Sequence, residues 1–221
     1  MTARPLPRRR AVLFVLGAIA ILVAFYVLYS VVNTIRQLET VERDRDGWQR
    51  PDEILRALDV RAGNSVVDLG SGAGYFALKL APLAGESGHV TAVDLKKLSL
   101  FFLKLRKFRL GYRNLQLVTG EPEDPHLPRA SADAILICNT YHELSHRQVM
   151  LRHVFDTLRS GGRVVVTDRE PTEGSSNSHE VALMQAATDL EGAGFQVTRR
   201  DPMLLTDPDR EVWWLLVAIK P

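Results

Sequence analysis

Apolar and polar positions fall into blocks along this chain, and the block lengths predict its elements. From Ala11 to Val32 there are 22 consecutive positions without a charge, enough helix to cross about 30 Å of hydrocarbon. From Asn33 to Gly47 the pattern inverts: Glu39, Glu42, Arg43, Asp44, Arg45 and Asp46 crowd together, as expected of a solvated helical stalk or linker. A folded domain then starts near Trp48 and runs to Pro221. Pro51-Asp52-Glu53 offers helix-start chemistry ahead of Ile54 to Leu58, with the acids at the positive end of the helix dipole. Arg61 to Asn64 turns the chain into an apolar run, ending in Asp68, that reads as a buried parallel strand.

Beyond it, strand-like and helix-like patterns alternate, which indicates βαβ units. Tyr75 to Leu80 opens a helix that ends near Ala84-Gly85, and His89 to Asp94 forms the next strand. Lys96 to Arg113 is a basic amphipathic helix, and Leu115 to Gly120 and Ala134 to Cys138 are further strands. Arg147 to Leu158 is a helix that the pair Gly161-Gly162 ends before the strand Val164 to Asp168. Glu170 to Ser178, rich in Pro, Gly and Ser, predicts a mobile loop over the substrate mouth. His179 and Glu180 begin a helix reaching Gly192, a reading preferred to metal binding because no second ligand pair has matching spacing. Phe195 to Thr198 and Val212 to Ile219 are two closing strands, whose Asp207 to Arg210 connection suits an antiparallel hairpin.

Composition sharpens this only in places. With 221 residues, 46% of them hydrophobic, the chain can hold one good-sized domain plus an appendage. The net charge of +2 decides little. The single cysteine, Cys138, excludes an intramolecular disulfide framework and a cysteine-rich zinc site, and its apolar neighbours make it a buried strand residue.

The candidate chemistry sits in Asp68-Leu69-Gly70-Ser71-Gly72-Ala73-Gly74-Tyr75, where an acid and three alternate glycines occupy one strand-to-helix turn. Glycine lets the backbone approach a ligand closely. A dinucleotide fingerprint starting at Gly70 and Gly72 requires glycine at Tyr75 and has no use for the acid. Asp94 ends the second strand 20 residues beyond Gly74, where a carboxylate can accept both hydroxyls of a ribose; an Asp capping the next helix is the structural alternative. The string Asp68-x-Gly70-x-Gly72-x-Gly74 resembles the first motif of the class I S-adenosylmethionine-dependent methyltransferases. The run Leu158 to Val164, and the strand ending in Asn139-Thr140-Tyr141-His142-Glu143, resemble later motifs of the small-molecule members related to ubiquinone and menaquinone biosynthesis.

That resemblance spans about residues 48 to 221 and implies a doubly wound, Rossmann-like α/β fold with a seven-stranded, mostly parallel sheet, preceded here by one transmembrane helix. It implies S-adenosyl-L-methionine as cofactor, with Asp68 near the methionine end and Gly70, Ser71, Gly72, Gly74 and Tyr75 around it. Asp94 and Leu95 would meet the ribose and Glu121 would lie near adenine, although Pro122 departs from the commoner pattern and an acidic surface loop is the plainer reading. Asn139 would face the cofactor, and Tyr141 and Glu143 the substrate side. His142 is a candidate general base, because an imidazole titrates near neutrality; a packing or capping role is its alternative. A non-catalytic, membrane-tethered cofactor-binding scaffold would carry the same glycine turn.

Two membrane questions remain at this level. The apolar run is longer than a secretory h-region and lacks a small-x-small cleavage site after it, which favours a spanning anchor over a cleaved signal or a core helix. Arg4, Arg8, Arg9 and Arg10 precede it, while Arg36, Arg43, Arg45 and Arg50 follow, so the positive-inside rule is nearly balanced and leans to an internal N-terminus. The cofactor's supply argues instead for a cytosolic domain. The Lys96 to Arg113 helix reads as a crossover helix with its cations in water, or as a face attracted to anionic lipid headgroups. It has no aromatic or glycine-rich partner motif that would suggest nucleic acid. A small or lipid-like acceptor at a membrane is the expected partner.

Overall fold

Helix α1 (Arg8–Trp48) carries both N-terminal blocks without a break, because no proline interrupts the run and its two glycines leave the hydrogen-bond ladder intact. The structure, a computed structural model, describes residues 8–172 and 179–221. The chain divides into two units, one ending at Arg43 and one running from Asp44 to Pro221. In the first, the apolar side chains Leu13, Phe14, Leu22, Phe25 and Tyr26 are all exposed. A helix apolar on every side has no polar face to give to water. It is long and apolar enough to cross a membrane.

The second unit is a three-layer α/β domain. Its strands are β1 (Ser65–Leu69), β2 (His89–Asp94), β3 (Leu115–Thr119), β4 (Ala132–Cys138), β5 (Leu158–Arg169), β6 (Gln196–Thr206) and β7 (Val212–Ile219). They form one seven-stranded sheet in the order β3-β2-β1-β4-β5-β7-β6. β1 to β5 pair in parallel, and β7 runs antiparallel between β5 and β6. The expected doubly wound sheet is therefore present. Helices α2 (Pro51–Leu58), α3 (Ala77–Ala84) and α4 (Lys97–Leu110) cover one face through Ile54, Leu58, Leu80 and Leu103. Helices α5 (Arg147–Thr157) and α6 (Leu183–Gly192) cover the other through Leu151, Val154 and Leu190. The period of two in β7 sends Trp213 to the first layer and Trp214 to the second. Each indole N–H is satisfied, by Asp207 Oδ2 at 3.0 Å and by the Val181 carbonyl at 2.7 Å.

Several boundaries differ from the sequence reading, each for a physical reason. α3 starts at Ala77, since Tyr75 and Phe76 belong to the turn. Gly161-Gly162 does not separate helix from strand. β5 already begins at Leu158, and a register shift between Ala132 and Ala134 takes up the glycines as a bulge. Gly161, at φ +77°, donates to the Lys220 carbonyl at 2.9 Å, and Lys220 N–H returns a bond to Gly162. β6 runs on to Thr206 rather than stopping near Thr198, with irregular pairing to β7. His179 and Glu180 do not start a helix; α6 begins at Leu183, whose N–H is taken by the Glu170 carboxylate at 2.8 Å. Of the expected loop over the substrate mouth, residues 173–178 lie outside the described residues.

Candidate functional site

The strand order reverses between β1 and β4, so the crevice above their carboxyl ends is the topological switch point where ligands bind in open α/β sheets. The turn after β1 is held there from three sides. Gly70 and Ser71 N–H both donate to the Val93 carbonyl, at 2.8 and 3.0 Å. Gly70, at φ +80°, lies so close to Thr140 that a Cβ would stand 2.2 Å from its Oγ1. Gly74, at φ +98°, abuts Leu103 of α4 as closely. Gly72 differs: at φ +54° a Cβ there would meet nothing within 4 Å among the described residues. Two of the glycines are thus demanded by packing, whereas the third keeps open the space above the turn.

Asp68, next to last in β1, has its side chain buried. Burial pushes its carboxyl up to about 7, with the Ala77 backbone N–H and Arg45 opposing and Asp94 adding to the rise. Among the described residues, Oδ2 of Asp68, Oγ of Ser71 and Oδ1 of Asn139 are buried and have no hydrogen-bond partner. Buried polar groups are normally paired. One of these orphans lies near the end of β1, one in the turn after it, and the third begins the segment after the neighbouring strand β4. Asp94 closes β2 and accepts from Gly72 N–H and Lys96 N–H, each at 2.7 Å. These two bonds fix its carboxylate beside the turn and leave further lone pairs for hydroxyl donors. This donor and acceptor set fits the amino acid and ribose portions of S-adenosylmethionine.

A cleft beside the turn brings Gly70, Asp94, Leu95, Glu121 and Glu143 together against Val93, Pro122 and Met150. Its floor is tight, for a Cβ on Gly120 would stand 3.0 Å from Val93. Glu121 is exposed there; its backbone closes the Pro122-Glu123 turn with Asp124, at 2.7 and 3.2 Å. Glu143 at the rim stands 3.8 Å from Lys96 Nζ.

Other expected site residues are turned elsewhere. Tyr75 is buried and donates its hydroxyl to Asp46 Oδ1 at 2.8 Å, beneath the Arg45 guanidinium 4.0 Å from its ring centroid. Burial and then Asp46 push the Tyr75 phenol far up. Burial works against the Asp46 charge, but Lys79 and Tyr75 hydrogen bonds hold its carboxyl below the usual range. Tyr141, in a 3-10 turn spanning Tyr141–Glu143, is fully buried against Trp214 and donates to Asp189 at 2.9 Å. Its side chain faces the core of the second layer, not the cleft.

His142 is paired with a residue that the sequence reading took for a plain strand position. Asp168, in β5 and fully buried, accepts from the His142 backbone N–H at 3.0 Å and stands 2.9 Å from Nδ1. The His142 side chain is only 4% exposed, and its ring meets that of His179 edge-on at 5.1 Å. A carboxylate at Nδ1 fixes the tautomer with the proton there and leaves Nε2 as the ring's acceptor.

Three further residues were missed. Arg106, read as one of the solvated cations, is buried and donates to the Ala73 carbonyl at 2.8 Å, bracing the glycine turn from α4. Arg45 and Gln49 extend the site from the end of α1. Arg45 Nε donates to Gln49 Oε1 at 2.7 Å, and Gln49 reaches Cys138 Sγ at 3.5 Å. Cys138 is buried as expected, and burial pushes its thiol well up. A long-range contact of this kind leaves no local pattern; an Arg inside an apolar i, i+3 stripe (Leu100, Leu103, Arg106) was the one available signal.

With this geometry in place, the comparisons are consistent. Residues 61–203 match the family described as "Methyltransferase domain". The chain is 29% identical over 150 residues to the ubiquinone/menaquinone biosynthesis C-methyltransferase of Pseudomonas fluorescens, covering 67% of this chain and 55% of that one. It is 24% identical over 146 residues to the demethylmenaquinone methyltransferase of Oceanobacillus iheyensis, covering 66% and 60%. The chain thus spans little more than half the length of these curated relatives. Among solved structures, a SAM dependent methyltransferase from Aquifex aeolicus superimposes with TM-score 0.73 at 22% identity, covering 86% of this chain and 98% of that one.

Proposed function

We propose, from the premise that this chain belongs to the methyltransferase-domain family, that it transfers the methyl group of S-adenosylmethionine to a small, lipid-like acceptor at a membrane. When bound, the cofactor would supply an electrophilic methyl on a sulfonium, whose carbon–sulfur bond breaks to a neutral thioether as the acceptor takes the methyl. Asp68, Ser71 and Asn139 hold the methionine portion, Gly72 lets it approach, and Asp94 takes the ribose hydroxyls. Glu121 and Leu95 border the adenine. The observation that carries this reading is the coincidence of three orphaned buried polar atoms with a glycine turn at the switch point.

His142 is the base for an acceptor that must lose a proton, with Asp168 as its positioning residue. Its Nδ1 is already engaged, so Nε2 takes the proton. Glu143 stands on the acceptor side of the cleft. Tyr75 and Tyr141 act through the framework: one ties the turn to Asp46, the other fixes the 3-10 turn that carries His142. Support for a lipid-like acceptor comes from the exposed apolar helix α1 and from the quinone-pathway names of the relatives. α1 anchors the chain as a single-pass span. The domain, Trp48 to Pro221, faces the cytosol, where the cofactor is made, and residues 33–47 link the two.

The test is methyl transfer from labelled cofactor into membrane extract, comparing the full chain with Asp94→Ala. Label should enter the organic phase with the wild type and be lost with the variant. Cofactor binding without labelled product from any fraction would leave only a binding protein. Label confined to water-soluble products would remove the lipid-like acceptor.

A further inference from the structure

We propose that α4 is a second membrane element, whose outer face docks on an anionic bilayer beside the mouth of the cofactor cleft. The helix has two apolar faces. Leu100 and Leu103, with Arg106, are buried against the sheet. Leu98, Phe101, Leu105 and Phe108, at spacings of three, four and three, form a second stripe. At roughly 100° per residue that stripe lies on the side opposite the buried one. Leu98 is 68% and Phe108 88% exposed, Phe101 is exposed, and Leu105 is half-buried. Lys97 and Lys104 run along one flank of the stripe and Arg109 along the other. Between Asp94 and Glu121 the sequence holds no acid.

A crossover helix of a water-borne domain turns polar residues outward, so an apolar stripe on the outer face marks an interaction surface. The flanking cations choose the partner. Apolar side chains seated at the acyl boundary, with lysine and arginine at headgroup level, are the design of an interfacial helix on anionic lipid. A protein partner would have to match a broad basic surface with its own acids. The bilayer meets it with mobile headgroups, and the apolar stretch of α1 makes a bilayer the surface this chain would live on. Leu95, exposed and lining the cleft with Asp94, leads directly into α4. Docking therefore sets the cleft mouth at the lipid surface. That consequence rests on the acceptor reading above; the docking itself does not.

The full chain is placed in lipid nanodiscs of phosphatidylcholine with or without phosphatidylglycerol, carrying an environment-sensitive fluorophore on Leu98→Cys. Cys138 is buried and stays unlabelled. Docking predicts a blue-shifted emission quenched by nitroxide-bearing lipids when phosphatidylglycerol is present. The double variant Lys97→Glu, Lys104→Glu should lower the docked fraction about tenfold or more, with an unchanged melting profile by circular dichroism. A reference label on Glu86→Cys should stay unquenched. Absent quenching over anionic lipid, or equal quenching in neutral lipid and in the charge-reversed variant, overturns the proposal. So does a blue shift without quenching that grows with protein concentration, which would mean a second copy covers the stripe. No readout involves methyl transfer, so a wrong acceptor would not disturb the result.

Discussion

Replacing Gly72 by alanine separates ligand contact from folding, because the structure assigns the two effects different sizes. The residue sits at φ +54°, inside the left-handed region, where an L side chain costs about 1–2 kcal/mol. Among the described residues a Cβ there meets no atom within 4 Å, so they add no packing strain to that figure. The amide that donates to Asp94 at 2.7 Å is retained. For a domain of this size, about 1 kcal/mol moves Tm by about 2–4 °C. The added methyl projects into the space assigned to the cofactor, where overpacking costs about 1–3 kcal/mol. That corresponds to a loss of affinity of about 5- to 150-fold. Calorimetric titration with S-adenosylmethionine and with its demethylated product, run beside thermal unfolding, measures both. An affinity held within twofold while Tm falls as stated would show that the ligand does not cross the face of Gly72, and the cofactor placement would be wrong.

Gly74→Ala should behave in the opposite way. Its Cβ collides with Leu103, so stability falls by about 2–5 kcal/mol from strain plus overpacking. In a denaturation cycle with Leu103→Ala the coupling should offset about 1–3 kcal/mol, and strict additivity would refute the contact. Asp68 sets a pH dependence. Its folded pKa of about 7 exceeds the unfolded 3.8, so its contribution to stability is full below about pH 4. That contribution is lost as pH rises through 7, a fall of a few kcal/mol. A cationic methionine end prefers the carboxylate, so cofactor affinity should rise with pH up to about 7 and then level. Asp68→Asn should flatten both curves, and a wild-type affinity flat from pH 5 to 8 would argue against Asp68 meeting the cofactor. Asp168→Asn should lower kcat by about ten- to hundredfold and change the shape of its pH profile while leaving cofactor Kd unchanged. An unaltered pH profile would return His142 and Asp168 to a purely structural role.

What could be read from sequence was local or periodic. The glycine turn, the acid 20 residues beyond it, and most strands and helices of the sheet were visible because each is written in a contiguous run. α4 shows where periodicity stops being sufficient. A stripe of apolar residues announces a helix, yet when two stripes lie on opposite sides the pattern cannot tell which one the sheet takes. Arg106 is the sharper instance: a cation among cations until Ala73, 33 residues earlier, is seen to need it. Asp168 likewise looked like the polar end of a strand, because its partner lies 26 residues away across a pairing that only the assembled sheet creates. The bulge at Gly161 depended on Lys220, two strands later in sequence. Tyr141 faced inward because the 3-10 turn after β4 rotates it away from the carboxyl edge, a twist that alternation along a strand does not encode.

The placement of β7 bears on how the protein is made. β7, which follows β6 in sequence, lies between β5 and β6, not at an edge. Thr167 Oγ1, one residue before Asp168, bonds to the Trp214 carbonyl at 2.7 Å, and Lys220 Nζ bonds to the carbonyls of Phe155 and Leu158 at the end of α5, both at 2.7 Å. Chains fold from the N-terminus as they leave the ribosome, yet β6 pairs only with β7 in the sheet and has no partner until that strand has emerged. Completion of the sheet must therefore wait for β7. Chains cut short before β7 should be left with two unpaired strand edges and an unsupported Asp168, fit for degradation rather than for partial activity.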